Sequence, residues 1–297
     1  MMIEELRARF GQSDHVTFVA GGNGLPLVRL HHPNGSTAEV YLNGAQVTSW
    51  RHHVAGEVLF MSSAVEYLPG KSFRGGIPVI FPQFGPGALP SHGFARTLPW
   101  GVTRAGLLST GEVAVTLTLR DTAETLALWP YHFQLELGVF LAESLTTSLV
   151  VTNLDPQAIE FTAAFHTYFR VGDITRTTIA GLEGLHYLDK VREGLRGVED
   201  RPKITVDQFT DRVYLHAPDE LVIADDALKR TIVLQKRELQ DAVLWNPWHD
   251  RTPAFKDLGA DDWGRFVCLE VGTVGNRVQV APGQSFSGSQ TMRCVPW

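Results

Sequence analysis

The sequence predicts an all-β protein, a large antiparallel sandwich or barrel with one short N-terminal helix, on three observations. Apolar and β-branched residues alternate with polar ones over many short stretches, and turn-forming residues separate those stretches. The 28 glycines and 16 prolines punctuate the whole chain instead of gathering in one linker. Nothing marks a domain boundary, so residues 1–297 are expected to form one domain, as sandwiches of this size often do. A chain of about 300 residues buries roughly three quarters of its unfolded surface, so stability calls for neither a metal nor a disulfide staple.

Taken in order, Ile3 to Phe10 is the one stretch that reads as a helix. Glu112 to Leu119 (EVAVTLTL) sets Val113, Val115, Leu117 and Leu119 on one face, as a half-buried strand requires. Leu145 to Val151 (LTTSLVV) repeats the pattern with β-branched residues. Leu221 to Ala224 and Thr231 to Gln235 read as two strands joined by a connection from Asp225 to Arg230.

With 26 basic and 32 acidic residues the formal net charge is -6, which argues against a general polyanion binder. No run of roughly 18 apolar residues offers a membrane helix. Glu4, Glu5, Arg7 and Arg9 interrupt any secretory apolar core, and Cys268 and Cys294 have no CxxC partner, so a cytoplasmic protein with buried free thiols is expected. In that compartment the Asn34-Gly35-Ser36 sequon is a turn and not a glycosylation site.

Four common chemistries lack their signatures: there is no strand-to-helix GxGxxG, Walker loop, HExxH or GxSxG elbow. His31-His32 and His52-His53 are adjacent pairs, and neighbours on a strand point to opposite faces, so neither pair is expected to hold a metal.

Four segments stand out. Lys71 to Pro86 (KSFRGGIPVIFPQFGP) puts Arg74 beside Gly75 and Gly76, where glycine lets backbone approach a ligand and the guanidinium fork suits an oxyanion. Leu89 to Trp100 (LPSHGFARTLPW) holds His92 and Arg96 four residues apart, either as ligand contacts or as structural residues. Phe165 to Arg170 (FHTYFR) carries His166 among aromatics. Val267 to Gly272 (VCLEVG) places Glu270 inside an apolar strand, where a carboxylate costs several kcal/mol unless it is paired or sits in a site.

In this order the segments resemble the hexose-6-phosphate mutarotases, or glucose-6-phosphate 1-epimerases, of the aldose 1-epimerase (galactose mutarotase-like) superfamily. The resemblance covers most of the chain, from Asn43-Gly44-Ala45 through RGGIPVIFPQFG, SHGFAR, WPYHF, FHTYF, TDRVY, LWNPW and CLEVG to Val280-Ala281-Pro282-Gly283. It implies a single-domain antiparallel β-supersandwich whose concave face holds a sugar. It implies His166 as general acid and Glu270 as general base, with Arg74, His92, Arg96 and Asp211 as substrate contacts and the arginines reaching the phosphate. Ser91 stands where relatives commonly have Gln, so one sugar contact is expected to be lost or to pass through water. The implied reaction needs no cofactor and no metal, and the implied protein is a monomer acting on a small molecule, without nucleic acid or membrane. Three other readings stay open: an aldose 1-epimerase of unphosphorylated sugars, a non-catalytic sugar-binding sandwich, and a glycoside hydrolase in which Asp211 supplies the second acid beside Glu270.

Overall fold

The computed structural model describes residues 2–12 and 14–297. Its strands form three sheets in which every pairing between named strands is antiparallel. A five-stranded meander runs in chain order through Val16–Ala20, Pro26–His31, Thr37–Tyr41, Val47–His52 and Gly56–Glu57. A nine-stranded sheet contains Val113–Arg120, Phe133–Leu141 and Leu145–Asn153, and an eight-stranded sheet is centred on the long strand Phe266–Val280. The helix Ile3–Phe10 lies where the sequence places it, with Leu6 buried, but it is not the one helical stretch, since Ala123–Leu128 and Trp248–Arg251 are short helices as well.

Alternation in the sequence becomes alternation in burial. Along Leu145–Asn153 every odd-numbered residue is buried and every even-numbered one is half-exposed, and Val113, Val115, Leu117 and Leu119 all face the core. Removing a side chain of this kind from water is worth about 1.5–3 kcal/mol, which also fixes the register, because a slip of one residue would turn the whole set outward. Leu145 accordingly lies opposite Leu141 on one side and Met292 on the other.

The predicted hairpin is real, with a shorter turn. Asp225 and Arg230 are its last paired rung, not part of the connection. Both are buried, and the Arg230 guanidinium donates to the carbonyls of Ala55, Glu57 and Arg170 at 2.6–3.1 Å, tying the five-stranded meander to the other sheets.

The glycines of the RGGIP segment correct a second expectation. A Cβ on Gly75 would lie 2.3 Å from the Phe60 carbonyl oxygen, and one on Gly76 would lie 2.1 Å from that of Val47. These glycines admit the protein's own neighbouring backbone, not a ligand, and so fix the path of the chain just after Arg74. Among the described residues no helix is long and apolar enough to cross a membrane.

Candidate active site

Register alone brings the two central residues together. Phe165 lies opposite Val271 and Tyr168 opposite Cys268, so one alignment runs through Ile159–Phe165, a break, and Tyr168–Arg170, all against the strand Phe266–Val280. That alignment sets His166 across from Glu270 on one face, where cross-strand side chains approach most closely. The contact follows: His166 Nε2 and Glu270 Oε1 are 3.3 Å apart. The break in the ladder is held from behind, where the buried hydroxyl of Thr167 and the amide of Gln290 exchange hydrogen bonds of 2.9 and 3.1 Å between the two large sheets.

The same face carries the rest of the site. Tyr168, two residues past His166, stacks on the imidazole with centroids 4.8 Å apart and planes within 9°. Trp245 meets both rings edge-on, and Asp211 lies opposite Trp245 on the next strand. Cys268 sits two residues before Glu270, so period-two alternation puts it on this face as well.

From the opposite side come the two arginines and His92. Arg74 gives Nε and Nη2 to the carboxylate of Asp257 at 3.2 and 3.1 Å and Nη1 to the Tyr168 hydroxyl at 3.1 Å. Arg96 donates to the Ser91 carbonyl at 3.0 Å, while its buried Nε has no partner. His92 adopts φ +66°, and its Nδ1 accepts from the Gly85 N–H at 3.3 Å, which leaves any ring proton on Nε2. Gly93, next to it, is required, since a Cβ there would lie 2.1 Å from the Phe81 carbonyl.

The electrostatics follow from burial. Desolvation, with the positive charges of Arg96 and Arg74 adding to it, holds the His166 imidazole well below its ordinary pKa. Desolvation and the nearby Asp211 push the Glu270 carboxyl well up. Both partners are thereby driven toward their neutral forms. Burial also raises Asp211 to about 6 and, helped by the two arginines, lowers His92 to about 3, so His92 is a neutral donor at ordinary pH. Among the described residues, three buried atoms here lack partners: His166 Nδ1, Glu270 Oε2 and Arg96 Nε. Unmet hydrogen-bonding capacity of this kind is costly, and a polyhydroxylated ligand would satisfy it.

All seven residues singled out from sequence converge on this region, and two of them play parts the sequence did not suggest. Arg74 is not a free fork, because Asp257 holds it. Ser91 is exposed and contributes its backbone carbonyl, which does not depend on its hydroxyl. Sequence reasoning missed Tyr168 and Cys268, although each lies two positions from a residue it did find, and it missed Asp257, for which a polar loop gives no signal.

Two groups of metal-ligand type exist among the described residues. His52, His53 and Glu143 cluster because His53 lies past the end of the strand Val47–His52, so the two rings come to 4.5 Å, contrary to the expectation that neighbours diverge. His52 Nδ1, however, accepts from the N–H groups of Val54 and Ala55 at 3.2 and 3.1 Å, which puts the ring proton on Nε2, the atom facing Glu143. In the second group, His166, Cys268 and Glu270, burial holds the thiol well above its ordinary pKa and keeps it a poor ligand.

The sequence matches the aldose 1-epimerase family over residues 26–293. The chain belongs to that family. Among its relatives, a protein of Cenchrus ciliaris is 37% identical over 283 residues, covering 92% of this chain and 86% of its own. One of Escherichia coli (strain K12) is 35% identical over 273 residues, covering 91% and 90%. Both bear the name "putative glucose-6-phosphate 1-epimerase". A crystal structure from Salmonella typhimurium, described as a "putative mutarotase", superposes with a TM-score of 0.90 at 30% identity over 100% of both chains. A galactose mutarotase-like protein from Clostridium acetobutylicum shares the fold at a TM-score of 0.76 and 16% identity, over 96% of this chain and 100% of that one. The supersandwich expected from the sequence is therefore the fold observed, and the protein is an epimerase that interconverts sugar anomers.

Proposed function

We propose that this epimerase exchanges the α and β anomers of a hexose 6-phosphate, with Glu270 as general base and His166 as general acid. One observation carries the assignment of roles: the pair is buried, in contact at 3.3 Å, and each member keeps an unpartnered polar atom. Ring opening needs a proton taken from the C1 hydroxyl and one given to the ring oxygen, and both oxygens are bonded to C1. Glu270 as carboxylate takes the first and His166 as imidazolium gives the second. The neutral pair that remains is the form burial favours, and it differs from the ion pair only in where protons sit. The open aldehyde turns about C1–C2, and the reverse transfers close the ring on its other face, so a full cycle draws no proton from solvent. Each such group contributes about 10² to 10⁴ in rate.

Arg74 and Arg96 are the phosphate contacts in this reading, and Asp211 and the Nε2–H of His92 contact the sugar hydroxyls. The relatives' names support the phosphate, and so does Arg96, a half-buried cation that no carboxylate among the described residues neutralises by direct contact. We further infer one domain over residues 1–297, since one core cluster draws on residues from Leu6 to Cys294. The same reading makes the protein a cytoplasmic monomer, with no nucleic acid or membrane as partner; its two buried free cysteines suit a reducing compartment. Exchange NMR on glucose 6-phosphate and glucose tests the function. Faster anomer exchange with the phosphorylated sugar preferred is expected, and equal efficiency on both sugars removes the phosphate role of the arginines.

A further inference from the structure

Arg74 has five N–H donors, and the structure accounts for three of them. Asp257 takes the edge formed by Nε and Nη2, Tyr168 takes one proton of Nη1, and the ring of Phe255 covers a face of the guanidinium at 5.1 Å. One donor on Nη1 and one on Nη2 remain. The Nη1 end rests on Tyr168, the ring stacked on His166, so this is the end turned toward the catalytic pair.

Asp257 is itself firmly placed. Leu258 beside it is buried, and the Gly259 N–H donates to Asp262 at 2.8 Å. The Asp262 carboxylate also accepts from the Ser62 hydroxyl and the Ser63 N–H at 2.8 and 2.9 Å. The Ser62 N–H in turn donates to the Arg74 carbonyl at 3.0 Å. One short segment, Ser62-Ser63, thus anchors both the loop carrying Asp257 and the backbone carrying Arg74.

We propose that Asp257 is a positioning residue for phosphate recognition: by gripping one edge of Arg74 it presents the other edge, Nη1 and Nη2, to the cleft as a bidentate receptor for a phosphate monoester. Two parallel donors match two phosphate oxygens, and a guanidinium fixed on edge, tip and face loses little freedom when the ligand arrives. The nearby carboxylate also lowers the charge of the receptor, so that Arg96 supplies the net positive charge and Arg74 the geometry. This proposal rests on the hexose 6-phosphate reading above.

The test uses the full chain and the variants Asp257→Asn and Asp257→Glu. Asp257→Asn is expected to raise KM for glucose 6-phosphate and the inhibitory constant of inorganic phosphate by about tenfold. Its kcat for glucose 6-phosphate and its kcat/KM for glucose stay within about twofold of wild type, and Asp257→Glu recovers part of the loss. An unchanged or lower KM overturns the proposal, the lower value because Asp257 would then compete with phosphate for Arg74. An equal loss on glucose and glucose 6-phosphate overturns it in favour of a purely structural ion pair. If the wild-type protein exchanges neither sugar, the mutarotase reading fails on its own. Calorimetric titration with inorganic phosphate then decides the present inference, with weaker binding to Asp257→Asn supporting it and equal binding overturning it.

Discussion

Among the described residues two histidine–glutamate pairs make the same contact, and they differ in what a catalyst needs. His52 Nε2 and Glu143 Oε1 are 3.3 Å apart, and so are His166 Nε2 and Glu270 Oε1. Around the first pair every need is met. His52 Nδ1 accepts two backbone N–H groups, and Glu143, its side chain 71% exposed, lies in water and also accepts from Asn34 at 3.1 Å. Around the second pair, Glu270 is 2% exposed, and His166 Nδ1 and Glu270 Oε2 are left without partners. Proximity therefore does not distinguish the sites. The difference is desolvation together with unmet hydrogen-bonding capacity, which makes protonation states adjustable and leaves a ligand something to bind.

The comparison breaks most directly by neutralising each carboxylate. Glu270→Gln and His166→Asn are each expected to lose about 10² to 10⁴ of the exchange rate, whereas Glu143→Gln keeps the wild-type rate within about twofold and costs at most about 1 kcal/mol of stability. Exchange NMR and urea denaturation check the two halves. Wild-type turnover by Glu270→Gln would place the chemistry elsewhere. In the wild type, kcat/KM is expected to be bell-shaped in pH, with its two limbs belonging to the coupled pair and not to either residue. Next in size is Arg96→Ala, which removes the cation beside Glu270. Loss of a charge-assisted contact corresponds to about ten- to a hundredfold in KM for glucose 6-phosphate, with a smaller effect on glucose. Steady-state kinetics on both sugars measure it.

How far these features were legible depends on the range of the interaction. Val113–Arg120 and Leu145–Asn153 declare themselves through alternation, because burial on one face is a local constraint on composition. Glu270 was legible as a charge inside an apolar run, and Tyr168 lay within reach through its spacing of two from His166. The halt in the ladder at His166 and Thr167 was not, since it depends on Gln290, 123 positions away. Nor was the Asp257 grip on Arg74, which spans 183 positions and begins in a loop without periodicity. The adjacent pair His52-His53 was misread for a related reason: the rule that neighbours diverge holds only inside a strand, and sequence does not show that the strand ends at His52.

Asp211 sharpens the comparison from the side of stability. Burial raises its pKa from 3.8 to about 6, so the folded protein holds this proton more tightly than the unfolded chain does. Its contribution to stability is complete below the unfolded value and is lost as pH rises through about 6, a change on the order of 3 kcal/mol. Asp211→Asn should flatten the stability profile across that window in urea titrations at stepped pH. It should also draw the Glu270 carboxyl back down by removing a neighbouring negative charge, which displaces the activity profile of the coupled pair to lower pH. An unaltered stability profile would mean that Asp211 is solvated in the folded protein.

The smallest effect is expected at Ser91, where the sequence suggests a larger one. Glutamine at this position offers a donor and an acceptor on a side chain long enough to reach a sugar, and serine offers one short hydroxyl. Among the described residues that hydroxyl has no hydrogen-bond partner, while the backbone carbonyl of the same residue accepts from Arg96 Nη2 at 3.0 Å. Any L-residue with the same backbone supplies that carbonyl. Ser91→Ala should therefore leave kcat and KM for glucose 6-phosphate within about twofold, since no charge-assisted bond is removed. Ser91→Gln should either match it or lower KM, as an amide reaches groups the hydroxyl does not. A loss of tenfold or more in Ser91→Ala would show that the hydroxyl meets the ligand directly, and would move part of the binding energy from Arg96 to its neighbour.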